Sequence, residues 1–103
     1  MYRISFYVPI TDAESVKEAL FNAGAGAWDT YDRVCWQCLG EGQFRPLKGS
    51  DPSLGSQNQL EKVKEYKVEM LCHSDKIKAA IAAFKKAHPY EQPAYEVYAV
   101  LDF

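Results

Sequence analysis

The segment "YRISFYVPITDAESVKEAL", residues 2–20, sets the architecture because its hydrophobic period changes from two residues to about 3.6. In residues 2–9 apolar and polar side chains alternate, which predicts a strand with one buried face. From Thr11 onward the apolar residues recur at helical spacing, and Thr11 with Glu14 has the spacing of a capping box. A strand that leads directly into a helix is typical of the first half of a βαβ unit.

The rest of the chain continues as strand, strand, helix and strand. Residues 33–44 and 60–73 alternate as strands, and Ser74 is the predicted N-cap of a second helix that Pro89 ends. Residues 94–101 form the predicted last strand. The order βαββαβ predicts an α+β, ferredoxin-like sandwich in which two helices cover one face of an antiparallel sheet. We interpret residues 1–103 as one domain.

Charge and hydropathy exclude several classes of protein. The 103 residues carry a formal net charge of -2, so the sequence predicts no binding of nucleic acid or of an anionic membrane surface. No apolar run approaches the roughly 20 residues of a transmembrane helix, and the N-terminal segment lacks the pattern of a signal peptide. Three cysteines, an odd number, fit a reducing compartment. These features predict a cytoplasmic protein.

The helix-free face of such a sheet is expected to carry apolar side chains. Strand alternation predicts that four residues, or their alternates on the same strands, point there: Tyr7, Cys35, Leu39 and Leu71. An exposed apolar surface of this kind usually marks an interface, so we expect a homo-oligomer.

The motif "CWQC", residues 35–38, shares with redox and zinc motifs only the spacing of its two cysteines. Its neighbours alternate as in a strand, where Cys35 and Cys38 lie about 10 Å apart and on opposite faces. A disulfide needs Cα atoms within about 7 Å. The spacing therefore favours structural cysteines.

A Gly-, Pro- and Ser-rich loop spans residues 45–59. Loops of this length in compact domains are often functional, and Arg45 and Lys48 are candidate contacts for an anionic ligand. A solvent-exposed loop, or one that clasps a neighbouring subunit, is the alternative interpretation.

The segment "HPYEQPAYE", residues 88–96, also allows two interpretations. His88 and Glu91, with Glu69, are candidate ligands of a divalent metal ion or a polar small molecule. In the second interpretation the prolines stiffen a joint between helix and strand, Tyr90 packs on the helix end, and the helix C-terminus favours the charged form of His88.

Three motifs resemble those of the Nif-three-like protein family in its YqfO branch: "GQFRPLKGSDPSLG" at 42–55, "VKEYKVE" at 63–69 and "HPYEQPAYEVY" at 88–98. The resemblance is to the small PII/CutA-like domain inserted into longer members, and it covers nearly the whole chain. It implies a compact oligomer, a trimer by analogy, with clefts between subunits. Gln92 stands where the family more often has a second glutamate.

The longer members are described as GTP cyclohydrolase-like and carry a two-metal site in a flanking domain. With two histidines in total, this chain cannot form a two-metal site that is held by several histidines. We therefore expect a module that binds a small ligand or a divalent metal ion at subunit clefts and that is not catalytic. The candidate residues are Arg45, Lys48, Glu69 and Tyr90 for a ligand, and His88 and Glu91 for a metal.

Two alternative functions stay open at this point. One is a metal-assisted nucleotide hydrolase in which His88 is the general base or a ligand, with Glu91 as its partner. The other is a regulatory domain that binds a protein partner through loop 45–59.

Overall fold

The computed structural model describes all residues from 1 to 103. Its elements follow the predicted order: β1 (Tyr2–Pro9), a 3₁₀ turn (Ile10–Asp12), α1 (Ala13–Asn22), β2 (Trp36–Phe44), β3 (Glu61–Cys72), α2 (Ile77–Ala87) and β4 (Tyr95–Ala99). Neither helix has the length and apolar character needed to cross a membrane.

The four strands form one antiparallel sheet in the order β2-β3-β1-β4. β1 and β3 are the central pair, with Phe6 opposite Val68 and Ile4 opposite Met70. The fold is therefore the predicted α+β, ferredoxin-like sandwich. The observed β2 and β4 are shorter than the predicted strands, as is usual for strands that pair on one side only.

The hydrophobic core lies between one face of the sheet and the two helices. As the alternation predicts, Ile4, Phe6 and Val8 of β1 are fully buried, and so are Val68 and Cys72 of β3. The helices contribute the buried side chains Val16 and Leu20 from α1, and Ala80 and Phe84 from α2.

Both predicted N-caps are wrong. The chain enters α1 through the 3₁₀ turn, so Thr11 lies inside that turn and its hydroxyl donates to the Asp12 carboxylate at 3.1 Å. The second helix begins at Ile77, and the Ser74 hydroxyl accepts a hydrogen bond from the N-terminal amine at 2.9 Å. Because each helix begins later than its polar signal, neither side chain caps a helix.

On the helix-free face, which we call the open face, β1 and β3 present the predicted Tyr7 and Leu71, whereas β2 presents the alternates of the residues named. Leu39 lies opposite Tyr66 in the ladder, and directly opposed residues share a face, so Leu39 points to the helix side. Cys35 packs against the core. Their alternates Trp36 and Cys38 point to the open face instead, beside Glu69 and Lys67 of β3. All three cysteines are free.

The open face is also charged. Glu69 forms ion pairs with Arg3 at 3.6 Å and with Lys67 at 3.4 Å across its centre. Such partly exposed pairs stabilise a fold by less than about 1 kcal/mol each. The open face therefore mixes aromatic and charged side chains.

Candidate functional site

His88 occupies the joint between α2 and β4 and is 6% exposed. Its Nε2 lies 2.8 Å from the Tyr7 carbonyl, and its Nδ1 accepts a hydrogen bond from the Tyr90 amide at 3.1 Å. A carbonyl can only accept and an amide can only donate, so the proton is on Nε2 and the ring is neutral. The imidazole therefore holds β1 and the start of the 90–94 segment together.

Burial lowers the pKa of His88, and the hydrogen bond to the Tyr7 carbonyl opposes this effect only in part. The predicted preference for the charged form at the helix C-terminus is thus wrong, because burial disfavours the charged ring and Nδ1 must stay unprotonated to accept the Tyr90 amide. Binding a metal ion through either nitrogen would break one of the two backbone hydrogen bonds. The arrangement of His88 therefore fits a structural joint and does not fit a metal ligand.

A cavity of about 760 Å³ lies beside this joint. It is bounded by the end of β2, the first part of loop 45–59 and residues 90–94, with Tyr7 and Glu65 on the sheet side. We call it the loop cavity. Four of the six candidate site residues line it: Arg45, Lys48, Tyr90 and Glu91. The other two lie elsewhere, Glu69 on the open face and His88 in the core.

Hydrogen bonds from two backbone amides hold the loop over the cavity. The Asp51 amide donates to the Glu91 carboxylate at 3.0 Å, which connects the loop to the helix-to-strand joint. At the base of the loop, the Asn58 amide donates to the carbonyl of the buried Pro46 at 2.6 Å. Glu91 thus has a loop-binding role, and the metal role predicted for it with His88 has no support in this geometry.

Tyr90 forms the inner wall of the loop cavity. Its ring packs against Phe44 with centroids 5.7 Å apart and against His88 with centroids 5.0 Å apart. The hydroxyl is buried and makes no hydrogen bond of acceptable geometry. Burial, together with the nearby Glu65 carboxylate, raises the pKa of Tyr90 to about 12, so the hydroxyl keeps its proton at neutral pH.

Glu65 is the site residue that the sequence analysis missed. It lines the loop cavity from β3, and partial burial raises the pKa of its carboxyl group. Its side chain lies over Gly42, where a Cβ atom would collide with the Glu65 carboxylate. The available signal was a glycine inside β2 near an acidic residue of the paired strand, since such glycines mark close approach.

Substituting Tyr90 by phenylalanine tests whether the buried hydroxyl is unpaired. Because the hydroxyl has no well-formed hydrogen bond to lose, we expect Tyr90→Phe to keep the free energy of unfolding within about 0.5 kcal/mol, or to increase it. Urea denaturation measures this change. As a control, Tyr90→Ala also removes the ring contacts with Phe44 and His88, and we expect it to cost about 2–4 kcal/mol. A loss above about 1 kcal/mol in Tyr90→Phe would show that the hydroxyl is bonded in solution.

No protein-family model matches this sequence. Among curated proteins, it is 39% identical over 98 residues to the GTP cyclohydrolase 1 type 2 homolog of Halalkalibacterium halodurans and 40% identical over 98 residues to that of Bacillus subtilis. Each match covers 95% of this chain and 26% of the relative. Among solved structures, a Bacillus cereus protein related to NIF3 superposes with a TM-score of 0.82 at 35% identity, over 98% of this chain and 26% of that one.

This chain is homologous to one part of the NIF3-related proteins. The resemblance to the Nif-three-like family is therefore confirmed, and the chain spans about a quarter of the length of the curated relatives that it matches.

CutA proteins share the fold of this chain. Pyrococcus horikoshii CutA superposes with a TM-score of 0.69 at 18% identity, over the whole of this chain and 87% of that one. The structure of the periplasmic divalent cation tolerance protein CutA from Archaeoglobus fulgidus gives 0.68 at 15% identity, again over the whole of this chain and 87% of that one. The predicted CutA-like architecture is thus confirmed at the level of the fold.

Proposed function

We propose that residues 1–103 form one PII/CutA-like domain that assembles as a homo-oligomer, binds a small organic ligand in the loop cavity and is not catalytic. The observation that carries this proposal is the convergence of Arg45, Lys48, Tyr90 and Glu91 on one cavity from separate parts of the sequence. Its volume of about 760 Å³ lies within the range of small-molecule sites, about 300–1,000 Å³.

The charges around the cavity favour an anionic ligand. Arg45 and Lys48 line its loop side, and neither has a carboxylate within ion-pair distance. Unpaired cations at a pocket are available to hold a carboxylate or phosphate group. We propose an organic anion rather than a metal ion because both nitrogens of His88 are already hydrogen-bonded and Glu91 accepts the Asp51 amide.

The position of His88 also supports a binding role over catalysis. A general base must reach the proton that it removes from the substrate. His88 is buried against Phe84 and Tyr90, outside the wall of the cavity, and it already uses both nitrogens. The hydrolase alternative would therefore need a different base.

The open face supports the proposed homo-oligomer. Trp36 is 59% exposed and Tyr98 is 52% exposed, and the paired Arg3 lies between their strands. Trp, Tyr and Arg are the residue types enriched at protein interfaces. Two copies that met through this face would bury these side chains.

Native mass spectrometry of the purified, untagged protein tests ligand binding and assembly together. We expect an oligomeric mass with a retained organic ligand. In the double variant Arg45→Ala/Lys48→Ala we expect occupancy to fall about tenfold or more, because two charge-assisted contacts are lost. The matched control is Lys78→Ala/Lys86→Ala, which removes two exposed cations from α2, away from the cavity. A bare monomer, or equal occupancy in both double variants, would refute the proposal.

A further inference from the structure

The inner end of the loop cavity holds two neighbouring polar groups, the Tyr90 hydroxyl and the Glu65 carboxyl group. The hydroxyl is buried and makes no hydrogen bond of acceptable geometry, and the carboxyl group beside it is only partly buried. A buried hydroxyl without a well-formed hydrogen bond costs about 1–3 kcal/mol. A ligand that gave Tyr90 an acceptor and Glu65 a donor would therefore bind preferentially at this end.

These two groups differ in what they can bond. An ionised carboxylate only accepts hydrogen bonds, whereas a tyrosine hydroxyl can donate one. Glu65 and Tyr90 therefore match a ligand that places a donor next to an acceptor, as an amide does with its N–H and its carbonyl oxygen. Gly42 has no side chain, so the Glu65 carboxyl group can lie directly over its backbone at the edge of the cavity.

The outer end of the loop cavity is positively charged, and its side walls are aromatic. Arg45 and Lys48 provide positive charge at the loop, while Phe44 and Tyr90 provide aromatic surface between the two ends. The cavity thus has a basic outer end, an aromatic wall and an inner end that matches an amide.

We propose that the loop cavity selects a small organic anion that carries an amide group, with the amide N–H donating to Glu65, the amide carbonyl accepting from Tyr90, and the anionic group held by Arg45 and Lys48. This inference rests on the proposed function and specifies its ligand class. Glu65 and Tyr90 become the residues that determine specificity.

Hippurate, N-benzoylglycine, is a suitable probe because it combines a carboxylate, an amide and an aromatic ring. Two analogues each remove one feature. 3-Benzoylpropionate has a methylene group in place of the amide N–H, and methyl hippurate lacks the negative charge. Titration of the ¹⁵N-labelled protein with each compound, followed by NMR chemical shifts, gives both the affinity and the location of binding.

We expect hippurate to shift the amides that line the loop cavity and to bind about tenfold more tightly than either analogue, because each analogue loses one charge-assisted contact. Glu65→Ala should weaken hippurate about tenfold and leave 3-benzoylpropionate unchanged, since that analogue has no N–H for Glu65 to accept. Tyr90→Phe should weaken both of these compounds, because both keep the carbonyl oxygen. Glu69→Ala, on the same strand and the same face but outside the cavity, is the matched control.

Equal affinity for hippurate and 3-benzoylpropionate, or an equal effect of Glu65→Ala on both, would overturn the amide assignment while leaving the cavity as a binding site. Absence of cavity shifts with all three compounds would also overturn it. Failure of the proposed function is a separate result, since retention of a natural ligand in native mass spectrometry is independent of these probes.

Discussion

Phe84→Ala is expected to lower the free energy of unfolding by about 3–5 kcal/mol. Phe84 is fully buried, and its ring contacts three other rings: Phe6 at 5.0 Å, His88 at 5.3 Å and Tyr95 at 5.3 Å between centroids. Truncation removes the buried apolar surface of the ring and leaves a cavity that the sheet cannot close. Since domains of this size are stable by about 5–15 kcal/mol, the variant is expected to lose a large part of its stability.

Thermal unfolding followed by circular dichroism measures this effect. We expect a decrease in Tm of more than about 12 °C for Phe84→Ala, at about 4–8 °C per kcal/mol. The control Lys78→Ala changes an exposed position of the same helix and should stay within about 0.5 kcal/mol of the parent protein. If both variants lost less than about 1 kcal/mol, the packing of α2 on the sheet described here would be wrong.

His88→Leu is expected to cost about 2–4 kcal/mol, because it keeps an apolar side chain but leaves the Tyr7 carbonyl and the Tyr90 amide without their partners. The exposed His73 provides the control His73→Leu, which should have little effect. Urea denaturation at pH 8 gives the comparison with His88 neutral.

His88 also predicts how stability depends on pH. Its pKa in the folded state lies below the ordinary value near 6.5, so the unfolded chain binds more protons than the folded one in this range. The contribution of His88 is therefore fully present above about pH 6.5 and is lost as the pH falls through the lowered folded pKa. We expect the slope of stability against pH from 7 to 5 to be smaller in His88→Leu than in the parent protein. A His88→Leu slope equal to that of the parent protein would contradict a buried neutral imidazole.

The architecture could be predicted from the sequence because each element carried its own periodic signal. β1 alternates with period two, and α2 repeats apolar residues at Ile77, Ala80, Ile81 and Phe84, so burial on one side fixes each element without knowledge of its partners. The helix starts were wrong for a local reason. Capping depends on where the first helical turn begins, and a 3₁₀ turn moved that point past Thr11.

The face that each residue of β2 presents could not be predicted in the same way. Its alternation is weak, with glycines at 40 and 42, so only the pairing with β3 determines that Trp36 is on the open face and that Leu39 is on the helix side. A shift of one residue would exchange these two sets of side chains, so the pairing with β3 is the information that the sequence of β2 lacks.

In the candidate site, too, local patterns predict some features and the packing of distant segments decides the others. Local patterns in the sequence indicate Arg45, Lys48, Tyr90 and Glu91 as candidates, because a long loop and a proline-bounded cluster of polar residues are visible without the fold. Only the tertiary structure brought these residues to one cavity, added Glu65 from β3 and placed His88 in the core. The physical reason is that the burial of an imidazole and the partners of its two nitrogens depend on residues such as Tyr7, which lies 81 positions away in the chain.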